Sequence, residues 1–366
     1  MMNHPLVKKE WRSLKWVMLL YGCLFAFFAL ILSDNMAQEK TSHLLRQYRE
    51  AVFVSQLYGL SQLMVPMLLI SMMIVVGVLF IHDRNGHIGK FINSLPYTRK
   101  EQFKIKYVMG MTTFTVPLLF FAGTIYAIRG HHQGWIGRVY KYASLGEFLK
   151  AQDSVWVLLL WLVFVWLLML ATYSVLMMIQ TLIGQNIVAS IIGGIIILVP
   201  LFLVYAIPVN LWLLSTLDFR YSEKLVTRVL IFLYGIPEFK FTGNVSGVNM
   251  YNLFDSYTNI YGGYTYQWFP LYMAILVLGI MISTLLGSYF MAHYDVEKNG
   301  EIALYPWVGK LLVIGTTLCS LLLFPVMFAM FTGIENPVAT MISMVMGAVL
   351  GYFISRKSIE MTAKHG

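Results

Sequence analysis

Residues 83–106 read DRNGHIGKFINSLPYTRKEQFKIK, a basic insert between two long apolar runs. It carries Arg84, Lys90, Arg99, Lys100, Lys104 and Lys106, with an apolar face of Ile88, Phe91, Ile92 and Leu95 in its middle. Thr98 and Glu101 stand in T-x-x-E spacing, so the hydroxyl caps the first turn of a helix while the carboxylate reaches back to the cap's own N–H. Pro96 ends whatever precedes the cap, because the residue before a proline is driven out of the helical region. The insert therefore predicts a short amphipathic helix, a stop, and a fresh helix running into the next apolar run. A membrane-buried chain presents such a knob to something soluble at its surface.

The rest of the composition says why a membrane is the frame. Of 366 residues, 58% are hydrophobic and 12% charged, and the mean hydropathy is +0.71. A soluble domain carries roughly a quarter charged residues. Crossing about 30 Å of hydrocarbon takes about 17–25 apolar residues. Eight stretches meet that length, near 16–33, 58–82, 107–128, 155–183, 187–206, 269–291, 311–331 and 337–355. The expected fold is an all-α integral membrane protein with one transmembrane domain over 1–366. The boundary between the fourth and fifth stretches, at the uncharged QTLIGQN around Gly184 and Gln185, is the weakest marked.

Orientation follows from the cations. With the N-terminus inside, segments 1–15, 83–106, 184–186, 292–310 and 356–366 hold 15 of the 26 Lys and Arg. The longer opposite segments 34–57, 129–154, 207–268 and 332–336 hold 11. That bias predicts cytoplasmic N- and C-termini. The net charge of +9 then marks topology and attraction to anionic lipid heads, and no nucleic-acid partner is needed to explain it. Segment 1–15 reads in two ways. Val7, Trp11 and Leu14 share a face opposite Lys8, Arg12 and Lys15, as an interfacial helix would, or the segment is an ordinary basic flank. The run that follows lacks a small-x-small cleavage site and reads as an uncleaved anchor. Cys23 and Cys319 both fall inside predicted spans and form no disulfide framework.

All 43 Asp, Glu, Lys and Arg residues fall outside the eight stretches. Ion-coupled carriers keep ionisable groups at bilayer depth in spite of the cost, so this pattern disfavours them. Broken helices at Pro66, Pro117, Pro200 or Pro325 leave open a site built from backbone carbonyls, although a structural kink is the commoner use of such a proline. An intramembrane enzyme needs a base or nucleophile near its substrate, and none stands there. His131 and His132 have no Cys or acidic partner at metal-ligand spacing and read as solvated loop residues. No G-x-x-x-x-G-K-[ST] occurs, so any ATP is bound by another chain. Asn244-Val245-Ser246 matches a glycosylation triplet of the kind that arises by chance.

Two helix seams are legible. Ala339, Ser343, Gly347 and Gly351 recur every fourth residue in the last span, and Gly279, Ser283 and Gly287 do so in the sixth. Small residues on one face let backbones approach closely where lipid supplies no hydrophobic drive. These stripes predict packing inside the chain or against a second copy. The outer segment 207–268 is long for a connector, and its second half is dense in Tyr, Asn and Gly. It reads as a small cap with interfacial aromatics or as a lid that contacts substrate.

The order Asp83, Arg84, Gly86, then Ser94, Leu95, Pro96, Thr98, Arg99, Glu101, then Lys104 and Lys106 resembles the permease subunits of ABC-2-type ABC transporters. The stretch YDVEKNGEIALYPWVGKLL, with Glu297, Gly300, Glu301 and Lys310, is similar to a loop of eight-span permeases of Gram-positive bacteria, including those of acetoin-utilisation and antibiotic-responsive operons. The resemblance covers most of the chain as topology, and its motifs lie in these two loops. The chain departs from the six-span ABC-2 core by two extra spans, so no translocation pathway transfers residue by residue.

The resemblance implies a division of labour in a bacterial cell membrane. Two permease chains, identical or different, pair with two soluble ATPase subunits that bind the ATP, and this chain needs no cofactor of its own. The 83–106 segment acts as a coupling helix in a groove of the ATPase, with Phe91 as anchor, flanked by Ile88, Leu95, Arg84, Lys90 and Arg99. The turn between the fourth and fifth spans makes a second contact, and segment 1–15 matches the family's interface helix. The loop could instead serve the positive-inside rule alone. The expected function is ATP-driven export of an amphiphilic, peptide-like or drug-like cargo. The alternative is a sensor or scaffold for envelope stress or antibiotic, with little transport of its own.

Overall fold

The described residues of the chain form eight helices. The computed structural model describes residues 5–45, 53–81, 83, 96–142, 155–214, 269–293, 301–332 and 336–363. The helices are α1 (Pro5–Leu45), α2 (Phe53–Phe80), α3 (Arg99–Tyr142), α4 (Val155–Leu182), α5 (Asn186–Leu213), α6 (Phe269–Ala292), α7 (Pro306–Thr332) and α8 (Pro337–Ala363). Among the described residues there is no strand. Seven helices are individually long and apolar enough to cross a membrane, and α5 is bent by 60° between Asn186–Pro200 and Tyr205–Leu213. The chain is thus an all-helical, multi-pass membrane protein. Six of the eight expected stretches fall within one of these helices, the fifth on the bent one, and the other two, 58–82 and 155–183, run past the ends of α2 at Phe80 and of α4 at Leu182.

Helix α1 is continuous from Pro5 into its span, so residues 5–15 form its first turns. Its buried residues include Leu6, Glu10, Leu14, Val17, Tyr21, Phe25, Phe28, Leu32 and Met36. They recur at steps of four and three, the spacing of one helical face. Trp11, expected on the apolar face, is 45% exposed. Helix α3 runs on to Tyr142, well past the span predicted to end near 128. His131 and His132 are therefore helical, and His132 is buried.

The chain divides into two compact units that interleave along the sequence. The first comprises Met1–Val75, Lys104–Ser174 and Leu233–Ile282. Its core is an aromatic run through α1, α3 and α4. Phe121 stacks on Phe25 at 4.9 Å between ring centroids, Phe25 neighbours Tyr21, and Tyr21 meets Phe114. Phe114 then meets Tyr173 edge-on, and Tyr173 meets Tyr107. Such pairs add about 0.5–1.5 kcal/mol each beyond the area they bury. Where lipid removes the usual hydrophobic drive, shape and ring geometry carry more of the packing.

The second unit comprises Val76–Phe103, Val175–Phe232 and Ser283–Gly366. Here α7 and α8 form an antiparallel pair. A Cβ on Gly347 would stand 2.5 Å from the Ser320 carbonyl oxygen, and one on Gly351 2.7 Å from the Ser320 side chain. Only glycine fits so close an approach. Helix α8 is started by Asn336, whose side-chain oxygen accepts from Val338 N–H at 3.0 Å, with Pro337 at the first helical position.

Candidate functional site

The segments that the cation count places on one side include several that meet in the second unit. Helix α3 begins on the expected cap. The Thr98 N–H donates to Glu101 Oε2 at 2.8 Å, and the Glu101 N–H donates to Thr98 Oγ at 3.3 Å. The first helical bond, Gln102 N–H to Thr98 O, is 3.0 Å. Such a reciprocal cap is worth about 1 kcal/mol. Pro96 and Thr98 are exposed ahead of it, and Arg99 and Glu101 open the helix. Arg84, Ile88, Lys90, Phe91 and Leu95 lie outside the described residues.

One turn further on, Phe103 is 2% exposed. Its ring lies where a Cβ on Gly287 would need to be, 2.8 Å away, and the same Cβ would be 3.3 Å from the Met178 Cα. The start of α3 is thereby locked against the ends of α6 and α4. Of the sixth-span stripe, Gly287 makes this contact and Ser283 is buried, while Gly279 faces open space. In the last span Ser343, Gly347 and Gly351 are buried and Ala339 is half-buried.

The turn between α4 and α5 is held from two directions. On one side lies the stretch that carries the second loop motif. Gly184 N–H donates to Glu301 O at 3.0 Å, and Leu304 N–H donates to Leu182 O at 3.1 Å. Ile179, Leu182, Ile183, Ala189 and Val308 make a buried cluster beneath these bonds, with Ala303, Tyr305 and Phe290 packed on it. Tyr305 donates its hydroxyl to Phe290 O at 3.2 Å. Glu297 and Gly300 lie outside the described residues, whereas Glu301 takes part through its backbone.

On the other side is a carboxamide knot that the sequence did not single out. Gln180 Nε2 donates to Asn186 O at 3.1 Å and to Ser190 Oγ at 2.9 Å. Asn186 Nδ2 donates to Gly77 O, near the end of α2, at 2.8 Å. A Cβ on Gly77 would meet Ser190 Oγ at 3.3 Å, so a larger residue there would press on the same serine. Helix α2 leads into the 83–106 segment, so this knot ties the start of that segment to the α4–α5 turn. Asn186 is the first residue of α5, and the side chain of Gln185 at the cap position does not cap the helix. A polar residue freed from capping was the signal available in the sequence.

The first unit contains a second polar cluster that the sequence reading missed. Glu10 and Lys106 form an ion pair at 3.0 Å, with side chains 4% and 3% exposed. Tyr173 donates to Lys106 O at 3.0 Å, and the Tyr107 and Ser174 hydroxyls are 2.7 Å apart. Tyr21 and Ser71 pair nearby at 3.0 Å. Both charges flank expected spans and lie outside their apolar windows. The cluster braces α1, α3 and α4.

Farther along α3, Trp135 Nε1 donates to His132 Nδ1 at 2.9 Å. That geometry requires a neutral ring protonated on Nε2. Burial, with the neighbouring charges of His131 and Lys40, accordingly lowers the His132 pKa. Among the described residues no group of His, Cys, Asp and Glu could hold a metal ion. Several helix ends are thus interlocked by hydrogen bonds and by the Phe103 ring. No family model, no curated protein and no solved structure matches this chain.

Proposed function

We propose that the chain is the membrane-embedded permease subunit of an ATP-driven transporter of the ABC-2 kind, with both termini cytoplasmic. Its coupling surface is formed by the 83–106 segment, the α4–α5 turn and the stretch beginning at Glu301. The observation that carries this reading is the double tie on the α4–α5 turn, to Gly77 through Asn186 and to Glu301 and Leu304 through backbone bonds. A loop that serves only as a charge signal for topology needs no such interlock. A surface that must transmit force needs its loops rigidly joined to the helices they move.

In this mechanism ATP binding closes a pair of soluble ATPase subunits, and closure displaces the 83–106 segment. Two routes carry the displacement into the helices. The capped start of α3 pushes through Phe103 onto Gly287 and Met178, and the end of α2 pulls through Gly77 on Asn186. The permease contributes packing and a path for an amphiphilic cargo, working with a second permease chain. The difference in contact energy at the coupling surface biases a two-state equilibrium of access.

The test is co-purification of the full-length chain in lipid nanodiscs with candidate ABC ATPases, comparing wild type with Phe91→Ala and Arg99→Glu. Wild type is expected to retain one ATPase and to raise its hydrolysis rate, and each variant to weaken retention about tenfold or more. Unchanged retention and stimulation in both variants sinks the assignment. ATP-dependent movement of cargo across the bilayer separates a transporter from a sensor with the same architecture.

A further inference from the structure

The break in α5 offers a polar position that neither the coupling surface nor the packing seams use. The helix turns by 60° after Pro200, and its second part carries Asn210, which is 2% exposed. The Asn210 Nδ2 group donates to Ala206 O at 2.7 Å and to Leu322 O, on α7, at 2.9 Å. Leu322 lies near the middle of α7 and next to the carbonyl at position 321, which loses its amide partner because Pro325 has no N–H. The two carbonyl acceptors fix the orientation of the carboxamide, since a flip would set oxygen against oxygen. Asn210 Oδ1 is then a buried acceptor without a hydrogen-bond partner. Leaving such a group unpaired costs about 1–3 kcal/mol, and the cost is avoided whenever a donor arrives.

We infer that this break is a ligand position, where Asn210 Oδ1 accepts a hydrogen bond from a neutral hydroxyl or amide N–H at the polar end of an otherwise apolar molecule. Broken helices are where membrane carriers expose polar groups at depth. A metal cation is disfavoured on physical grounds, because one carboxamide oxygen cannot replace a hydration shell of several oxygens. A charged amine is disfavoured too, since no carboxylate stands on the described parts of α5 or α7 to balance it. A hydroxyl or amide on a long apolar tail matches both the single acceptor and the apolar surroundings. Reading that molecule as transported cargo rests on the permease function proposed above, whereas its binding does not.

The experiment uses the full chain in phosphatidylglycerol nanodiscs and two photo-crosslinkers. One is a long-chain fatty alcohol with a diazirine near its hydroxyl, and the other is its methyl ether, which has no donor. Labelled peptides are located by mass spectrometry. The alcohol is expected to label the chain around Asn210 and Leu322, to be displaced by excess unlabelled alcohol, and to exceed the ether about tenfold there, the ratio that one hydrogen bond supplies. In Asn210→Leu the alcohol is expected to fall to the level of the ether. Equal labelling by the two probes in wild type overturns the inference, and that comparison needs no variant to fold. So does a thermal midpoint that shifts with sodium or potassium but not with the alcohol. Labelling requires no ATPase, so a failed co-purification leaves this result standing, and failed labelling leaves the coupling surface untouched.

Discussion

The two units solve the same problem, a polar group buried in a greasy protein, with different chemistry. In the first unit the answer is charge and hydroxyl: Glu10 against Lys106, backed by Tyr173, Tyr107 and Ser174. In the second it is neutral carboxamide: Gln180, Asn186 and Asn210, each reaching backbone carbonyls or a serine. A buried charge pair holds only one arrangement well, because separating it strands two ions in low dielectric. A carboxamide that releases one carbonyl strands only a dipole, and it can find another carbonyl a short distance away. Asn186 Oδ1 and Asn210 Oδ1 even keep an acceptor open. The contrast assigns bracing to the first cluster and rearrangement to the second.

The largest effect that tests this contrast is on the ion pair. Lys106→Met leaves buried Glu10 with the partly exposed Lys9, 3.3 Å away, as its cation and should cost about 3 kcal/mol, the low end of what breaking a buried pair costs, read as a large fall in the thermal midpoint of the detergent-solubilised protein. Adding Glu10→Gln to Lys106→Met should recover most of the loss, since no buried carboxylate then remains. A single variant as stable as wild type would mean that the pair braces nothing and that the two units do not differ as described.

The carboxamide knot should be cheaper to break and more damaging to work. Asn186→Leu removes the side-chain donor to Gly77 O, which keeps its bond within α2, a loss of about 0.5–1.5 kcal/mol. The same change should abolish stimulation of the partner ATPase while leaving the partner bound, because the surface persists and its tie to α2 does not. If stability falls and stimulation survives, force reaches the helices by the Phe103–Gly287 contact alone. The two routes are thereby separated by one variant.

Much of this contrast was hidden from the sequence for identifiable reasons. The spans were legible because long uncharged runs have few other uses, and the cap at Thr98 and Glu101 because its spacing is specific. The Gly347 and Gly351 seam was legible for the same reason. Glu10 was overlooked because Val7 and Trp11 gave a plausible apolar face. The four-three rhythm of Leu6, Glu10, Leu14, Val17 and Tyr21 was the better guide, with an acid set squarely in it. Helix α3 was cut short at Arg129, His131 and His132, since charge after an apolar run reads as the end of a span, although a helix needs no membrane to continue. Gln180 and Asn186 looked like the polarity of any tight connection. What binds them to Gly77 is a contact across more than a hundred residues, which no local pattern records.

The smallest effect concerns the far part of α3, where the Trp135 indole holds the His132 ring in a fixed tautomer. The His132 pKa is lowered, by burial first and then by the charges of His131 and Lys40. In the unfolded chain an imidazole takes up its proton near pH 6.5. The folded form resists, because protonation would set an N–H of His132 against the indole N–H of Trp135. The unfolded state then binds more protons, so stability falls as pH drops through that region, and His132 adds no pH dependence well above it. The thermal midpoint measured from pH 8 to pH 5.5 should decline toward acid in wild type. His132→Asn, whose Oδ1 can accept from Trp135 without titrating, should show a shallower decline. An identical slope would place the pH dependence on other histidines, and the ring would then be a packing element only.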